Sequence, residues 1–188
     1  MNEENGWIFV KSLFIIQAFI CIALFINYVI NYNLLRISIS LITILVLYIP
    51  FILVNRYKVK IPNHMIILYF ILTFCSLIFG SLFELFLKYW WLDGSLHFYS
   101  GIFITYVCYY YLTNINLETR SIALSVSFIL LFAVFFNSFL SIIWEIYEFL
   151  MDIFLNLNMQ ENGIIDTMYD FIISLIGSIL ISIYLYKK

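Results

Sequence analysis

The sequence predicts an all-α, polytopic membrane helix bundle with six transmembrane helices. Three observations predict it. Hydrophobic residues fill 65% of the 188 positions and charged residues only 11%, with a mean hydropathy of +1.06. A soluble domain is roughly 25% charged, and so few charges cannot cover a water-facing surface of this size. Apolar runs near the length a bilayer needs, about 20 residues, recur along the chain. These runs lack the alternation of β-barrel strands, and in lipid a long apolar run satisfies its own backbone only as a helix.

The first span covers residues 7–30. Its apolar run is longer than a signal-peptide core and no small-residue cleavage site follows it, so it is expected to remain as a span. The second covers 34–54, the third 65–89 and the fourth 95–113. The fifth stays helix-like from 121 to 154, over 30 residues and about 50 Å if straight. It therefore projects, tilts, kinks or breaks near Asn137 and Ser138. The sixth covers 166–186. Short connections and the lack of a repeat or a low-complexity linker predict a single integral membrane domain over 1–188.

Charge narrows the function classes. A net charge of -2 with no basic cluster argues against a nucleic-acid partner. The expected partners are membrane lipids. Cys21, Cys75 and Cys108 lie in apolar runs and read as packing residues rather than a disulfide or zinc framework. With the N-terminus in the cytoplasm, seven of the nine basic residues fall on the inner side, leaving Arg36 and Lys88 outside. The positive-inside rule thus places both termini in the cytoplasm and the chain in the cell membrane.

Acid is concentrated. Residues 142–171 hold six of the eleven acidic residues (Glu145, Glu148, Asp152, Glu161, Asp166 and Asp170) and no Lys or Arg. The span order puts most of these at the same membrane side as Glu84, Asp93 and His97. Asp93 and His97 are i, i+4 and share a helix face, as do Glu148 with Asp152 and Asp166 with Asp170; Glu145 and Glu148 are i, i+3. Converging carboxylates need a cation, shared protons or water. A divalent metal is one solution, and bundle-core sites draw carboxylates and a His from facing helices. The expected metal ligands are Glu84, Asp93, His97, Glu145, Glu148, Asp152, Asp166 and Asp170. One His among oxygens suits Mg²⁺, Mn²⁺, Fe²⁺ or Zn²⁺. Simpler roles compete. Asp166 and Asp93 would cap the sixth and fourth helices, Glu161 would be solvated in its loop, and Arg36 would neutralise one acid without a metal. Glu84, Glu145, Glu148 and Asp170 are harder to dismiss, because ionisable groups in apolar sequence are costly in a bilayer and are functional by default.

The segments "WWLDGSLHFYSG", "WEIYEFLMD", "NMQ" and "IIDTMYDFIISLIGS" resemble the YjdF-like family of bacterial membrane-spanning proteins over roughly residues 80–178. The matching polar positions are Asp93, His97, Glu145, Glu148, Asp152, Gln160, Asp166, Thr167 and Asp170. Gly101 and Gly177 match small residues that would allow close helix contacts. The resemblance implies a residue pattern and no particular chemistry. "DGSLHF" is more distantly similar to VanZ-like membrane proteins, with Gly94 where those have a Lys.

Three functions fit. The first is a metal-dependent enzyme with His97, Glu145, Glu148 and Asp170 as its catalytic core, acting on lipid-linked or envelope substrates at headgroup level. The second is an ion- or proton-coupled transporter or ion-binding protein. The sequence shows no polar track through the inner halves of the helices, which counts against it. The third is a non-catalytic module whose acids form a structural polar network.

Overall fold

A computed structural model describes residues 3–86, 88–119, 124–156, 159–160 and 163–187. Arg120, Glu161 and Lys188, which entered the reading of charge, and residues 121–123 at the expected start of the fifth span lie outside the described residues. The described residues are helical with no strand: α1 Glu3–Ile30, α2 Leu34–Asn55, α3 Asn63–Thr73 continued by a π-helical segment Phe74–Leu82, α4 Trp91–Thr119, α5 Val126–Leu155 and α6 Ile164–Tyr186. The chain divides into two compact units, Met1–Leu92 and Asp93–Lys188.

Among the described residues, five helical stretches are long and apolar enough to cross a membrane: Glu4–Ile30, Leu34–Asn55, Asn63–Leu82, Val126–Phe154 and Ile164–Tyr186. The expected sixth apolar crossing is absent from this set. α4 has the length, 29 residues, but is rich in Tyr and carries Asp93 and His97.

In the first unit α1, α2 and α3 pack around Val10, Cys21, Leu47, Phe51, Ile66, Phe70 and Ile78. Phe14 meets both Phe51 and Phe70 by its ring. Pro50 lies inside α2. A proline has no N–H to give the carbonyl four residues back, here Val46. Tyr69 of α3 donates its hydroxyl to that Val46 carbonyl at 2.8 Å, so a neighbouring helix supplies the missing bond.

The third helix stops at Leu82, short of the expected 89. Its last carbonyls have no intrahelical donors, and side chains of the two earlier helices serve one of them. Tyr28 donates to the Leu82 carbonyl at 2.5 Å and Arg36 reaches the same oxygen at 3.5 Å. The chain then turns through Glu84, a non-glycine residue with φ +58°, a conformation few such residues adopt.

The second unit is built on α4, α5 and α6. Ser125 caps α5 by accepting from the Phe128 N–H at 3.2 Å, and Asn156 ends it in a left-handed conformation. α5 is one continuous helix of 30 residues, about 45 Å long. Of the alternatives the sequence left open for this span, a break near Asn137 is not taken: the helix runs on through it, and the Asn137 side chain is fully buried and bonded to Ser174 of α6. α6 starts at Ile164 with Gly163, φ +60°, as its N-cap. Asp166 therefore sits in the first turn of α6 rather than capping it, and Asp93 likewise lies inside the first turn of α4.

The Pro50–Tyr69 arrangement makes a coupled prediction. Tyr69→Phe should destabilise the first unit by about 1–3 kcal/mol, the usual penalty for an unpaired buried acceptor. The loss should shrink in a Pro50→Ala background, where the helix regains its own donor. A double-mutant cycle read by unfolding in mixed micelles measures the difference.

Candidate functional site

Two glycines position the second unit's polar groups. A Cβ on Gly101 of α4 would run into the Ser174 carbonyl of α6, and a Cβ on Gly177 of α6 into the Phe98 carbonyl of α4. The two backbones therefore touch at reciprocal points. Small residues permit such contact within membranes. His97 is one turn from Gly101 and Asp170 one turn from Ser174, so the close crossing brings those side chains together.

His97 Nε2 lies 3.9 Å from Asp170 Oδ2 and 3.9 Å from Asp93 Oδ1. Donor atoms of Asp93, His97 and Asp170 all fall within 4.8 Å of one another. Of the expected ligands, these three form the centre. The i, i+4 spacing of Asp93 and His97 supplies one side and α6 supplies the other.

Glu145 and Glu148 project from α5 into the same region. Glu145 and Asp166 act electrostatically on His97, and Glu145, Asp93 and Asp170 act on Glu148. Relative exposures are 8% for His97, 6% for Glu145, 5% for Glu148 and 1% for Asp170. Glu148 Oε1 accepts the Trp144 indole N–H at 2.9 Å. Neither carboxylate oxygen of Glu145, nor Asp170 Oδ2, has a hydrogen-bond partner among the described residues. Thr167 and Gln160 lie beside the Glu145 carboxylate and act on it, with neither making a hydrogen bond of regular geometry. Buried carboxylates left in this state need a cation, a shared proton or water.

The other expected ligands fall elsewhere. Asp152 accepts from the backbone N–H groups of Met159 and Gln160, at 2.5 and 2.8 Å. Its carboxylate thus clasps the connection between α5 and α6. The clasp holds Gln160, whose amide nitrogen donates to Thr167 Oγ1 at 2.7 Å. Glu84 belongs to the first unit and forms an ion pair with Arg36, the neutralisation that the sequence left open for one of the acids.

The polar surface also runs deeper than the acids. Ser174 Oγ accepts from Asn137 Nδ2 at 3.1 Å and pairs with Ser141 Oγ at 3.0 Å. Thr105 and Ser178 hydroxyls pair at 2.5 Å. Asn137, Thr105, Ser174 and Ser178 are fully buried. A polar seam therefore continues from the acids to about the middle of the three helices, and it stops short of the halves in which the sequence shows no polar track. It was present in the spacing: 97, 101, 105 on α4; 137, 141, 145 on α5; 170, 174, 178 on α6. Each series covers two turns, about 12 Å.

Gly101→Val should destabilise the second unit by about 1–3 kcal/mol through overpacking against the Ser174 carbonyl. A cross-linking yield between cysteines placed on the exposed rims of α4 and α6 checks it. Asp152→Ala should speed amide hydrogen exchange at Met159 and Gln160 while leaving α4 exchange unchanged.

The comparisons with known proteins agree with a membrane protein. A family described as predicted membrane protein (DUF2238) matches residues 12–188. An uncharacterized protein of Thermotoga maritima is 30% identical over 116 residues, 62% of this chain and 58% of that protein. The chain thus matches less than two thirds of that relative's length. No solved structure matches the chain significantly. With its match running over nearly the whole length, the chain belongs to the DUF2238 family of predicted membrane proteins.

Proposed function

We propose that this protein is a metal-dependent enzyme of the cell membrane, acting on lipid-linked or envelope substrates at headgroup level. The observation that carries the reading is the convergence of Asp93, His97 and Asp170 donor atoms within 4.8 Å, beside carboxylate oxygens that lack partners among the described residues. In this reading α4 crosses the bilayer as a sixth span, with its polar side against α5 and α6. Both termini are cytoplasmic, and the acidic end of the second unit faces outward, as the distribution of Lys and Arg supports. The resemblance to YjdF-like proteins accords with the family match.

The donor set fits a borderline or hard divalent ion, Mg²⁺, Mn²⁺, Fe²⁺ or Zn²⁺. Such an ion activates a water or polarises a phosphoryl or acyl oxygen. The protein's own groups do the rest. Asp93 on the same helix and Asp170 on the facing one stand 3.9 Å from His97 Nε2, so the three would hold the ion together. Glu148, held by the Trp144 indole, is placed to accept a proton from an attacking hydroxyl group.

A second reading, an ion- or proton-coupled transporter, draws on the polar seam of Ser141, Asn137, Ser174, Thr105 and Ser178. Its members are hydrogen-bonded to one another and buried, which favours a packed contact over a conduit.

Elemental mass spectrometry on protein purified in mild detergent tests the first reading. A near-stoichiometric divalent ion is expected, with at least a tenfold loss of affinity in His97→Ala and in Asp170→Asn while both remain folded. Absence of any ion after reconstitution with each of the four metals would remove the reading. Metal-independent cation or proton flux in proteoliposomes would favour the second.

A further inference from the structure

The connection from α2 to α3 carries the first unit's densest positive charge, and the metal site makes no use of it. Residues 55–64, "NRYKVKIPNH", hold Arg56, Lys58 and Lys60 and no acid. The connection has a fixed shape. α2 ends at Asn55, and the loop's own backbone serves the last carbonyls of the helix. The Tyr57 N–H donates to Ile52 at 3.4 Å and the Val59 N–H to Leu53 at 3.0 Å. Val59 is half-buried and Ile61 packs against the apolar core. Arg56, Tyr57, Lys58 and Lys60 are exposed.

Lys58 departs from what this turn favours. Its φ is +57°, the left-handed region in which a Cβ crowds the carbonyl oxygen and which glycine enters freely. Chains leaving a helix in this conformation usually do so on a glycine. A lysine is held here against that preference, and what it adds is a charge. The dipole of α2 would account for a cation at Arg56, but not for a side chain at a position where glycine fits better. Neither Arg56 nor Lys58 forms an ion pair among the described residues.

We propose that Arg56 and Lys58, with Lys60 beside them, form a docking surface for the phosphates of anionic lipid headgroups. The loop joins two stretches long and apolar enough to cross a membrane, Leu34–Asn55 and Asn63–Leu82. Its irregular backbone belongs outside the hydrocarbon, so it emerges among the headgroups. Tyr57, 69% exposed, is a residue type suited to that depth. A guanidinium meets a phosphate through two parallel N–H donors, and an ammonium meets it as a point charge. Cations on a turn that is already ordered lose little freedom on binding. A zwitterionic headgroup brings its own cation, so the net attraction selects anionic lipids. The proposal is independent of the metal reading.

Native mass spectrometry of the full-length protein tests it, with release from mixed micelles that hold dioleoylphosphatidylglycerol and dioleoylphosphatidylcholine in equal amounts. The wild type should retain the phosphatidylglycerol in preference. Arg56→Gln and Lys58→Gln should each weaken that retention about fivefold, the share of one cation near an anionic surface, and added salt should weaken it further. Lys58→Gly separates charge from structure. It should lose the same affinity while matching or exceeding the thermal midpoint of the wild type, because the turn is relieved. Equal retention of the two lipids by the wild type overturns the proposal and leaves the loop to an acidic partner in the aqueous phase. A preference left intact when Arg56→Gln and Lys58→Gln are combined also overturns it, by placing the binding at other cations such as Lys11 or Lys187.

Discussion

The second unit depends on the contact between the backbones of α4 and α6. Gly101 and Gly177 carry no Cβ, so the Ser174 and Phe98 carbonyls can occupy the space where side chains would otherwise stand. Between membrane helices there is no hydrophobic drive to association, since lipid tails are as apolar as leucine; close packing and interhelical hydrogen bonds take its place. Here both operate at one level. Ser174 presents its backbone to Gly101 and its hydroxyl to Asn137 and Ser141 of α5. One residue thereby registers three helices, and the acids one turn away inherit that register.

The two units solve the same problem by different means. Backbone groups in lipid must find partners within the protein. In the first unit, side chains repair particular faults: Tyr69 at the proline of α2, and Tyr28 with Arg36 at the end of the third helix. The second unit keeps its helices regular and spends its polar side chains on one another. That difference matches the content of the two halves. The first holds one acid in an ion pair with Arg36, and the second holds the buried carboxylates and His97.

Much of the site was legible in the sequence, because helical spacing is exact enough to group side chains on a face. Asp93 with His97, and Glu145 with Glu148, come out of that arithmetic alone. The same arithmetic reached Ser141, Asn137, Ser174 and Thr105, yet small polar residues in apolar runs are common and drew no attention beside the acids. Asp152 shows the limit. Its spacing from Glu148 puts it on the acid stripe, but its carboxylate turns to Met159 and Gln160, and where a chain reverses is not written in helical periodicity. The end of the third helix was hidden for a related reason. The residues from 83 to 89 are apolar apart from Glu84 and Lys88, so the run reads on past the true end, and the stop is set by groups on α1 and α2 that periodicity does not see. Arg36 and Glu84, 48 positions apart, were legible only as a cation open to pairing with one of the acids.

The proline of α2 bears on how the protein enters its membrane. Until α3 follows, the Val46 carbonyl has no donor, and an unpaired peptide group in hydrocarbon costs several kcal/mol. α2 is therefore a reluctant solitary passenger. The tyrosine that completes it is delivered by the very next helix to be synthesised, so insertion of the two as a hairpin is favoured over insertion one at a time. Biogenesis of the first unit is in this way written into a single side-chain hydroxyl.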